Sequence, residues 1–282
     1  MSTVHTDDGV AIDYTTVGTG PTTLLFMHGW GGAGSGHSWA ELLKHLDLTG
    51  LRALLVDLRG HGRSAPTSVG YTTDRFARDM LAVADDAGAD QFVVVGYSMS
   101  GKTAQWLACT APERVLGQIL IGPVTAGELP IPDEIRAQWL QMARSPDSKL
   151  FTEVLRPFIK EPLSPEIVER YFYDMSHAAH AAQEGTLDMM QTGSFMDRLP
   201  STRAATLVMA GAYDALMPVE ILREAIIAPI PGARMAVLDS GHEIPLEQPQ
   251  VAAALIEAFL AGLGRTTASI HIADRAVAAA AR

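Results

Sequence analysis

The sequence predicts an α/β protein whose parallel sheet is covered by helices on both faces. Short apolar runs alternate with helix-periodic segments through the first third, and the runs at residues 23–28, 53–57 and 91–96 are apolar almost throughout. Such strands are typical of a sheet that is buried on both sides. Repetition of strand, helix and strand favours parallel pairing, because each crossover then runs through a helix.

Further strands and helices extend this pattern along the chain. Apolar and β-branched residues predict strands at residues 10–17, 115–122, 206–210 and 233–238. Apolar residues at helical spacing predict helices at residues 38–45, 71–87, 100–110, 219–227 and 248–263. Thr72, Thr73 and Asp74 are candidate N-caps for the second of these helices.

Residues 123–203 interrupt the alternation of strands and helices. This segment is helical in pattern but irregular, and it is rich in proline, methionine and aromatic residues. Strand character returns at residues 206–210. We therefore predict a core formed by residues 1–122 and 204–263, with residues 123–203 inserted as a helical cap. Residues 264–282 are rich in alanine and have no core pattern, so we expect a disordered tail or a frayed helix.

Composition narrows the classes of function. A net charge of −11 and an isoelectric point near 5.2 argue against nucleic-acid binding, which depends on Lys and Arg neutralising phosphates. No apolar run approaches the roughly 20 residues that cross a bilayer. The first residues lack the pattern of a secretory signal, so we expect a cytoplasmic protein with no membrane partner. The one cysteine, Cys109, lies in an apolar-periodic segment and is expected to be a buried structural thiol.

The stretch GYSMSGKT at residues 96–103 matches two motifs with different chemistry. As GxxxxGKT it would be a phosphate-binding P-loop, and as a variant of GxSxG it would be a turn that presents a nucleophilic serine. A P-loop enzyme also holds magnesium, usually through an aspartate that ends a later strand. The strand predicted next, at residues 115–122, ends without an acid, so the sequence favours the serine turn.

Steric limits at such a turn indicate which serine is the nucleophile. Residues two before and two or three after the nucleophile must be small, because the chain turns sharply there. Counting from Ser98, these positions hold Gly96, Ser100 and Gly101. Counting from Ser100 places the bulky Lys102 two positions later. We therefore predict Ser98 as the nucleophile, Ser100 in the position usually held by glycine, and Lys102 as a solvated side chain.

Five motifs in chain order resemble those of the α/β-hydrolase family, and each lies at the end of a predicted strand. They are HGWGG at residues 28–32, DLRGHGRS at 57–64, GYSMSG at 96–101, GAYDALMP at 211–218 and SGHEIPLEQP at 240–249. The resemblance covers the chain to about Leu263. It implies the α/β-hydrolase fold, a mostly parallel eight-stranded sheet with helices on both faces and an inserted helical cap. It also implies a serine hydrolase that needs no metal and no organic cofactor.

The resemblance implies a catalytic triad. A serine hydroxyl is a weak nucleophile at neutral pH, so Ser98 needs a base that takes its proton and later returns it to the leaving group. His242 matches the family's base, and Asp214 matches the carboxylate that orients that base. Glu128 and Asp239 are alternative carboxylates that the sequence leaves open.

Substrate contacts are implied in the same way. The resemblance assigns the oxyanion hole to the backbone N–H groups of Trp30 and Met99, which would stabilise the charge on the reacting carbonyl oxygen. We expect Gly29, Trp30, Met99, Trp139 and Met217 to contact the substrate. Methionine and aromatic side chains of the cap suit an apolar ligand. We therefore expect the partner to be a small or medium apolar carboxylic ester or lactone.

Alternative functions fit the same constellation. Related enzymes use a serine triad for carbon–carbon bond hydrolysis of ring-cleavage products or for cofactor-free perhydrolysis, and the fold alone does not decide between them. Some proteins of this fold are ligand receptors with slow or vestigial hydrolysis.

His177 and His180 have a spacing that metal ligands can have, yet no third ligand is evident. Arg59 or Arg63 is expected to form structural ion pairs.

Overall fold

An eight-stranded sheet forms the centre of the molecule in the computed structural model, which describes residues 1–31, 34–145 and 147–263. The strands are β1 (Ser2–His5), β2 (Ala11–Val17), β3 (Thr22–Met27), β4 (Leu51–Val56), β5 (Phe92–Tyr97), β6 (Val115–Ile121), β7 (Ala205–Gly211) and β8 (Arg234–Leu238). Their order across the sheet is β1-β2-β4-β3-β5-β6-β7-β8. Strand β2 is antiparallel to both of its neighbours, and all other pairs are parallel. The predicted fold class is confirmed.

The first strand is the part of the sheet that periodicity did not predict. Three of the four residues of β1 are exposed, so the strand lacks the apolar alternation by which strands are recognised. Its backbone pairs with β2 from Ser2 opposite Tyr14 to His5 opposite Ala11. A strand at the edge of a sheet forms through backbone pairing, which leaves little trace in side-chain pattern.

Helices occupy the segments between the strands. They are α1 (Ala40–Leu43), α2 (Thr73–Asp86), α3 (Ser100–Thr110), α4 (Asp133–Arg144), α5 (Ser148–Leu155), α6 (Pro165–His177), α7 (His180–Gln191), α8 (Val219–Leu222), α9 (Ile244–Glu247) and α10 (residues 249–263). Helix α2 begins where the Thr72 side chain accepts the N–H of Arg75, as its sequence predicts. The helix expected at residues 219–227 is instead α8 followed by a π-helical turn at Arg223–Ile227. Within the described ranges, no helix is both long and apolar enough to cross a membrane.

Helices α4 to α7, which we call the cap helices, lie between β6 and β7. Local signals start two of them, because Asp147 accepts backbone N–H groups at the start of α5 and Ser164 does so at the start of α6. Their buried faces include Trp139, Phe151 and Tyr171. The division into a core and a separate cap at residues 123–203 stays a prediction, and the tail at residues 264–282 lies outside the described residues.

Lys102 is fully buried, so the prediction of a solvated side chain is wrong. Its Nζ donates to the carbonyl oxygens of Gly127 and Thr192 at 2.8 and 2.7 Å. The carbonyl oxygens of Met189 and Met190 lie 3.1 and 3.4 Å away. Carbonyls at a helix C-terminus carry partial negative charge, so the end of α7 favours a cation. The ammonium therefore fastens α3, which follows Ser98, to the last of the cap helices.

Two other predictions for single residues have clear outcomes. Arg59 is buried and forms ion pairs with Asp79 at 2.7 Å and Asp8 at 3.0 Å, which confirms its structural role. Cys109 is half-buried rather than buried, and its Sγ lies 3.4 Å from Thr202 Oγ1. Burial raises the pKa of this thiol, which disfavours the reactive thiolate.

The Lys102 ammonium should be a large contributor to stability. Replacing it in Lys102→Met leaves four carbonyl oxygens without their donor, and we expect the free energy of unfolding to fall by about 2–4 kcal/mol. Denaturation in urea measures this change. Lys44→Met is the control, because Lys44 is 62% exposed and should change stability by no more than about 0.5 kcal/mol. Equal stability of Lys102→Met and the wild type would contradict the role of the ammonium in joining α3 to α7.

Candidate active site

A strained turn connects β5 to α3 and carries Ser98. Its φ is +49°, and it is the one non-glycine residue with positive φ among the described residues. Such a conformation persists where surrounding bonds enforce it. The Ser98 N–H donates to the carbonyl oxygen of Ile121, and the Ser98 carbonyl oxygen accepts the N–H groups of Gly101 and Val124, all at 2.9 Å. The turn therefore holds the serine rigidly at the end of the sheet.

Close packing explains the small residues around this turn. A Cβ at Gly96 would lie 2.7 Å from the carbonyl oxygen of Ser100, and a Cβ at Gly101 would lie 2.3 Å from Cβ of Pro123. Ser100 is buried, and its hydroxyl donates to the carbonyl oxygen of His28. The serine that stands in place of the usual glycine is therefore accommodated and has its own partner. These contacts favour Ser98 over Ser100 as the available hydroxyl.

Ser98, His242 and Asp214 form a hydrogen-bonded row. Nε2 of His242 lies 2.8 Å from Ser98 Oγ, and Nδ1 lies 2.7 Å from Asp214 Oδ2. Ser98 is 7%, His242 5% and Asp214 4% exposed, so water barely competes for these bonds. The other oxygen of Asp214, Oδ1, accepts the N–H groups of Leu216 and Met217, both at 2.9 Å. Those two bonds fix the carboxylate in the orientation that meets the imidazole.

The two alternative carboxylates do not take this position. The Asp239 side chain is exposed and forms an ion pair with Lys160 at 2.7 Å. Glu128 is also exposed and has no bond to His242. The structure therefore brings Asp214 to the imidazole, in agreement with the resemblance.

The electrostatic setting of the row prepares His242 to act as a base. Burial of the ring lowers its pKa, but the carboxylates of Asp214, Glu243 and Glu247, with Asp214 foremost, together raise it by more, so the pKa of His242 is above its usual value. Burial likewise raises the pKa of Asp214, but the imidazole and the N–H groups of Leu216 and Met217 together lower it by more, so the pKa of this carboxyl is below its usual value. At neutral pH the row thus contains a carboxylate and a strengthened base.

The loop after β3 lies directly against the serine. A Cβ at Gly29 would lie 3.0 Å from the Tyr97 ring and 3.3 Å from Cβ of Ser98, so any larger residue would have to push these side chains aside by a few tenths of an ångström. The N–H groups of Trp30 and Met99 have no acceptor in the described part of the chain. Free N–H donors beside a nucleophile are suited to an oxyanion, so both remain candidates for that role.

His28 fixes this loop, although the sequence showed only that it begins the HGWGG motif. Its ring is fully buried, which lowers its pKa to about 4 and keeps it neutral. Nδ1 lies 2.8 Å from the carbonyl oxygen of Gly29, and Nε2 accepts the N–H of Leu58 at 3.1 Å. A neutral imidazole can donate at one nitrogen and accept at the other, so the ring joins the loop to the end of β4.

A small cavity of about 80 Å³ opens onto Ser98 and His242. All four cap helices contribute to its walls, for example through Trp139 in α4, Phe151 in α5 and Met190 in α7. Trp30 also lines it, and the Trp30 indole donates to the backbone oxygen of Gln183 at 3.1 Å. The cavity is therefore roofed by the cap helices and is apolar on most of its surface.

Predicted substrate contacts are only partly found in this cavity. Trp30 and Trp139 line it, with ring centroids 5.8 Å apart. Gly29, Met99 and Met217 are not among the described residues that line it, and Leu216 takes the place expected for Met217. Met217 does not contact the cavity because its side chain is buried elsewhere. Its backbone N–H donates to Asp214.

The sequence analysis did not predict three residues that the structure places at the site. Glu243 and Tyr171 line the cavity, and the Tyr171 hydroxyl donates to Glu243 at 3.1 Å. Gly122 has a φ of +48°, and a Cβ there would lie 3.3 Å from Nδ1 of His242. Glu243 could have been noticed, because it follows His242 directly in the SGHE stretch.

Phosphate and metal chemistry find little support in the described residues. The Lys102 ammonium is held by four carbonyl oxygens and is not free to hold a phosphate. Across residues 1–31, 34–145 and 147–263, no three His, Cys, Asp or Glu side chains are grouped as metal ligands would be. The His177 ring stacks on Tyr173 with centroids 3.9 Å apart.

The chain is similar to known proteins across most of its length. A family model described as alpha/beta hydrolase fold matches residues 22–249. The dihydrolipoyllysine-residue acetyltransferase component of the acetoin cleaving system from Cupriavidus necator is 30% identical over 90% of this chain and 68% of that protein. 3-Oxoadipate enol-lactonase 2 from Acinetobacter baylyi is 28% identical over 90% of this chain and 95% of the lactonase. The solved structure of a thermophilic esterase from Thermogutta terrifontis has a TM-score of 0.79 and 25% identity, covering 93% of this chain and 98% of that one.

Covalent labelling distinguishes the two serines of the turn. We expect a fluorophosphonate probe to label the wild type and Ser100→Ala but not Ser98→Ala, because only Ser98 is bonded to the imidazole. In-gel fluorescence and peptide mapping by mass spectrometry detect the label. Ser100→Ala is the matched control, since it removes an equivalent hydroxyl two residues away. Labelling that persists in Ser98→Ala and disappears in Ser100→Ala would show that Ser100, and not Ser98, is the nucleophile.

Proposed function

The chain belongs to the α/β-hydrolase family, and we propose that it is a serine hydrolase that cleaves a small or medium apolar carboxylic ester or lactone. The observation that carries this proposal is the row in which Ser98 Oγ, the His242 ring and Asp214 Oδ2 are joined by bonds of 2.8 and 2.7 Å. Similarity to an enol-lactonase and to a structurally solved esterase supports the class of bond.

Acylation would begin when Ser98 Oγ attacks the carbonyl carbon of the substrate. Nε2 of His242 accepts the hydroxyl proton during attack, and Asp214 stabilises the imidazolium that forms. Negative charge then develops on the former carbonyl oxygen, which the N–H groups of Trp30 and Met99 would bind. Collapse of this tetrahedral species breaks the bond to the leaving alcohol, which takes the proton from Nε2, and leaves an acyl-serine.

Deacylation would repeat the same steps with water. His242 accepts a proton from a water molecule as its oxygen attacks the acyl carbon, and a second tetrahedral species forms. When that species collapses, Ser98 Oγ leaves and recovers its proton from the imidazolium. The products are one carboxylic acid and one alcohol, or a hydroxy acid if the substrate is a lactone.

The walls of the cavity support the substrate class. Its open volume of about 80 Å³ is well below the roughly 300–1,000 Å³ of sites for drug-sized ligands. Aromatic and aliphatic side chains dominate its surface, among them Trp30, Trp139 and Phe151. An apolar acyl group of modest length fits this space, and larger substrates would require the cap helices to move.

The pH profile tests the role proposed for Asp214. We expect Asp214→Asn to lower kcat by about 10³–10⁴, because the imidazole loses its orienting carboxylate. His242 must be neutral to act as a base, so activity falls as pH drops through its pKa. Asp214 raises that pKa. On acidification, the residual activity of the variant should therefore fall at a lower pH than the activity of the wild type.

Asp239→Asn is the control for charge in this experiment. Asp239 lies three residues from His242 but is exposed and paired with Lys160, so the variant should keep the wild-type rate and profile. If the activity of Asp214→Asn falls at the same pH as that of the wild type, another group sets the pKa of His242.

A substrate panel tests the proposed reaction. A chromogenic short-chain ester should give a burst of released phenol close to one equivalent of enzyme, followed by steady turnover, if acyl-serine forms and hydrolyses. Enzymatic rates on esters, lactones and ring-cleavage dienones should be compared under the same conditions. Faster turnover of a dienone than of any ester would indicate carbon–carbon bond hydrolysis, and a burst without turnover would indicate a receptor.

A further inference from the structure

The cavity contains a buried carboxyl group that the proposed reaction does not use. Glu243 is 5% exposed and lines the cavity together with Ser98 and His242. The Tyr171 hydroxyl, which comes from α6, donates to its Oε2 at 3.1 Å. The base and its orienting acid are already provided by other residues. A carboxyl group at this place therefore acts on what enters the cavity or on the stability of its walls.

No fixed positive charge accompanies this carboxyl group. The titratable groups that face Glu243 are Tyr97 at the end of β5, Tyr171 in α6, and His242 and Glu247 on either side of it in sequence. Among the described residues that line the cavity there is no Lys or Arg. Arg170 belongs to α6 beside Tyr171, but its Nη1 lies 3.6 Å from Glu41 and it does not line the cavity.

An anionic substrate group would meet two penalties in this cavity. It would lose its hydration without gaining a cationic partner, which is costly for an isolated carboxylate. It would also approach Glu243 in a space of about 80 Å³, where two carboxylates repel each other strongly because little water screens them. A cationic substrate group would also lose its hydration, but an ionised Glu243 would attract it and offset part of that loss.

We propose that Glu243 determines specificity in this cavity, so that uncharged acyl groups are accepted and acyl groups bearing a carboxylate are rejected. The inference rests on the proposed function, because it concerns the acyl group delivered to Ser98. Apolar walls alone reject both signs of charge alike. If anionic acyl groups are rejected more strongly than cationic ones, the difference is therefore due to Glu243.

The rejection should depend on pH in a defined direction. Burial raises the pKa of Glu243 above that of an ordinary glutamate, despite the opposing effects of His242 and the two tyrosine hydroxyls. The carboxyl group is neutral below this pKa and negative above it. Discrimination against carboxylate-bearing substrates should therefore increase as pH rises through the pKa of Glu243.

Four chromogenic esters of matched length provide the probes. These are 4-nitrophenyl hexanoate, the mono-4-nitrophenyl ester of adipic acid, the corresponding adipamate, and 4-nitrophenyl 6-aminohexanoate. The adipate and adipamate have the same shape and differ in charge, and the aminohexanoate carries the opposite charge. Ordinary carboxylates and amines stay ionised from about pH 6 to about pH 9, so the substrates keep their charges across the range. Rates with Ser98→Ala give the background to subtract.

The measured quantity is the ratio of kcat/KM for adipamate to that for adipate. In the wild type this ratio should rise with pH as Glu243 ionises, and where Glu243 is ionised it should exceed the ratio of adipamate to aminohexanoate by about tenfold or more. In Glu243→Gln the adipamate-to-adipate ratio of kcat/KM should fall toward the adipamate-to-aminohexanoate ratio of kcat/KM. It should also be independent of pH. A change in the pKa of His242 affects both substrates of a pair equally, so it cancels in the ratio.

Two further variants separate charge from structure. Asp239→Asn removes an equal charge four residues away on the exposed surface, and the ratio should match that of the wild type. Tyr171→Phe removes a hydrogen bond that favours the ionised carboxyl group, so the rise in the ratio should move to higher pH. This second variant tests the inference even if Glu243→Gln folds poorly.

The outcomes separate this inference from the proposed function. A pH-dependent ratio that flattens in Glu243→Gln and shifts in Tyr171→Phe supports the inference. A wild type that labels at Ser98 and hydrolyses the hexanoate, but discriminates equally against both charges at every pH, overturns the inference and leaves the proposed function intact. Absence of both labelling and hexanoate turnover overturns the two together.

Discussion

The turn at Ser98 is the constraint on which the rest of the site depends. Its left-handed backbone is enforced by three hydrogen bonds and by contact between Gly101 and Pro123 that leaves no room for a side chain. Because the turn joins the end of β5 to the start of α3, it presents the hydroxyl at the edge of the sheet. The loops after β6, β7 and β8 then bring Gly122, Asp214 and His242 to meet it.

The core and the cap helices meet around this turn through polar contacts as well as apolar ones. The Lys102 ammonium, four residues after Ser98, lies among carbonyl oxygens at the end of α7. Trp30, whose backbone N–H is one of the two predicted oxyanion donors, donates its indole N–H to the backbone oxygen of Gln183 in α7. The helices that form the roof of the cavity are thus tied to the elements that carry Ser98 and Trp30. This arrangement links the shape of the cavity to the geometry of the row.

The parts of this account that the sequence predicted are those governed by local patterns. Buried strands, the small residues around Ser98 and the motifs at strand ends are visible in short stretches, and the structure places the predicted Ser98, His242 and Asp214 in contact. The errors concern long-range packing. Lys102 lies on a helix whose pattern cannot show that α7 ends beside it, and the side chain of Met217 is buried and does not line the cavity. Glu243 escaped notice because a carboxylate next to a histidine is usually solvated, and only tertiary packing buries it.

We propose that the strained Ser98, the His242 imidazole and the N–H groups of Trp30 and Met99 act together on one carbonyl group. A crystal structure of the protein inhibited by an alkyl phosphonate tests this most directly, because the adduct imitates the tetrahedral species. We predict phosphorus bonded to Ser98 Oγ, with the phosphoryl oxygen about 3 Å from the N atoms of Trp30 and Met99. Phosphorus bonded to another residue, or a phosphoryl oxygen that points away from both N–H groups, would contradict the account.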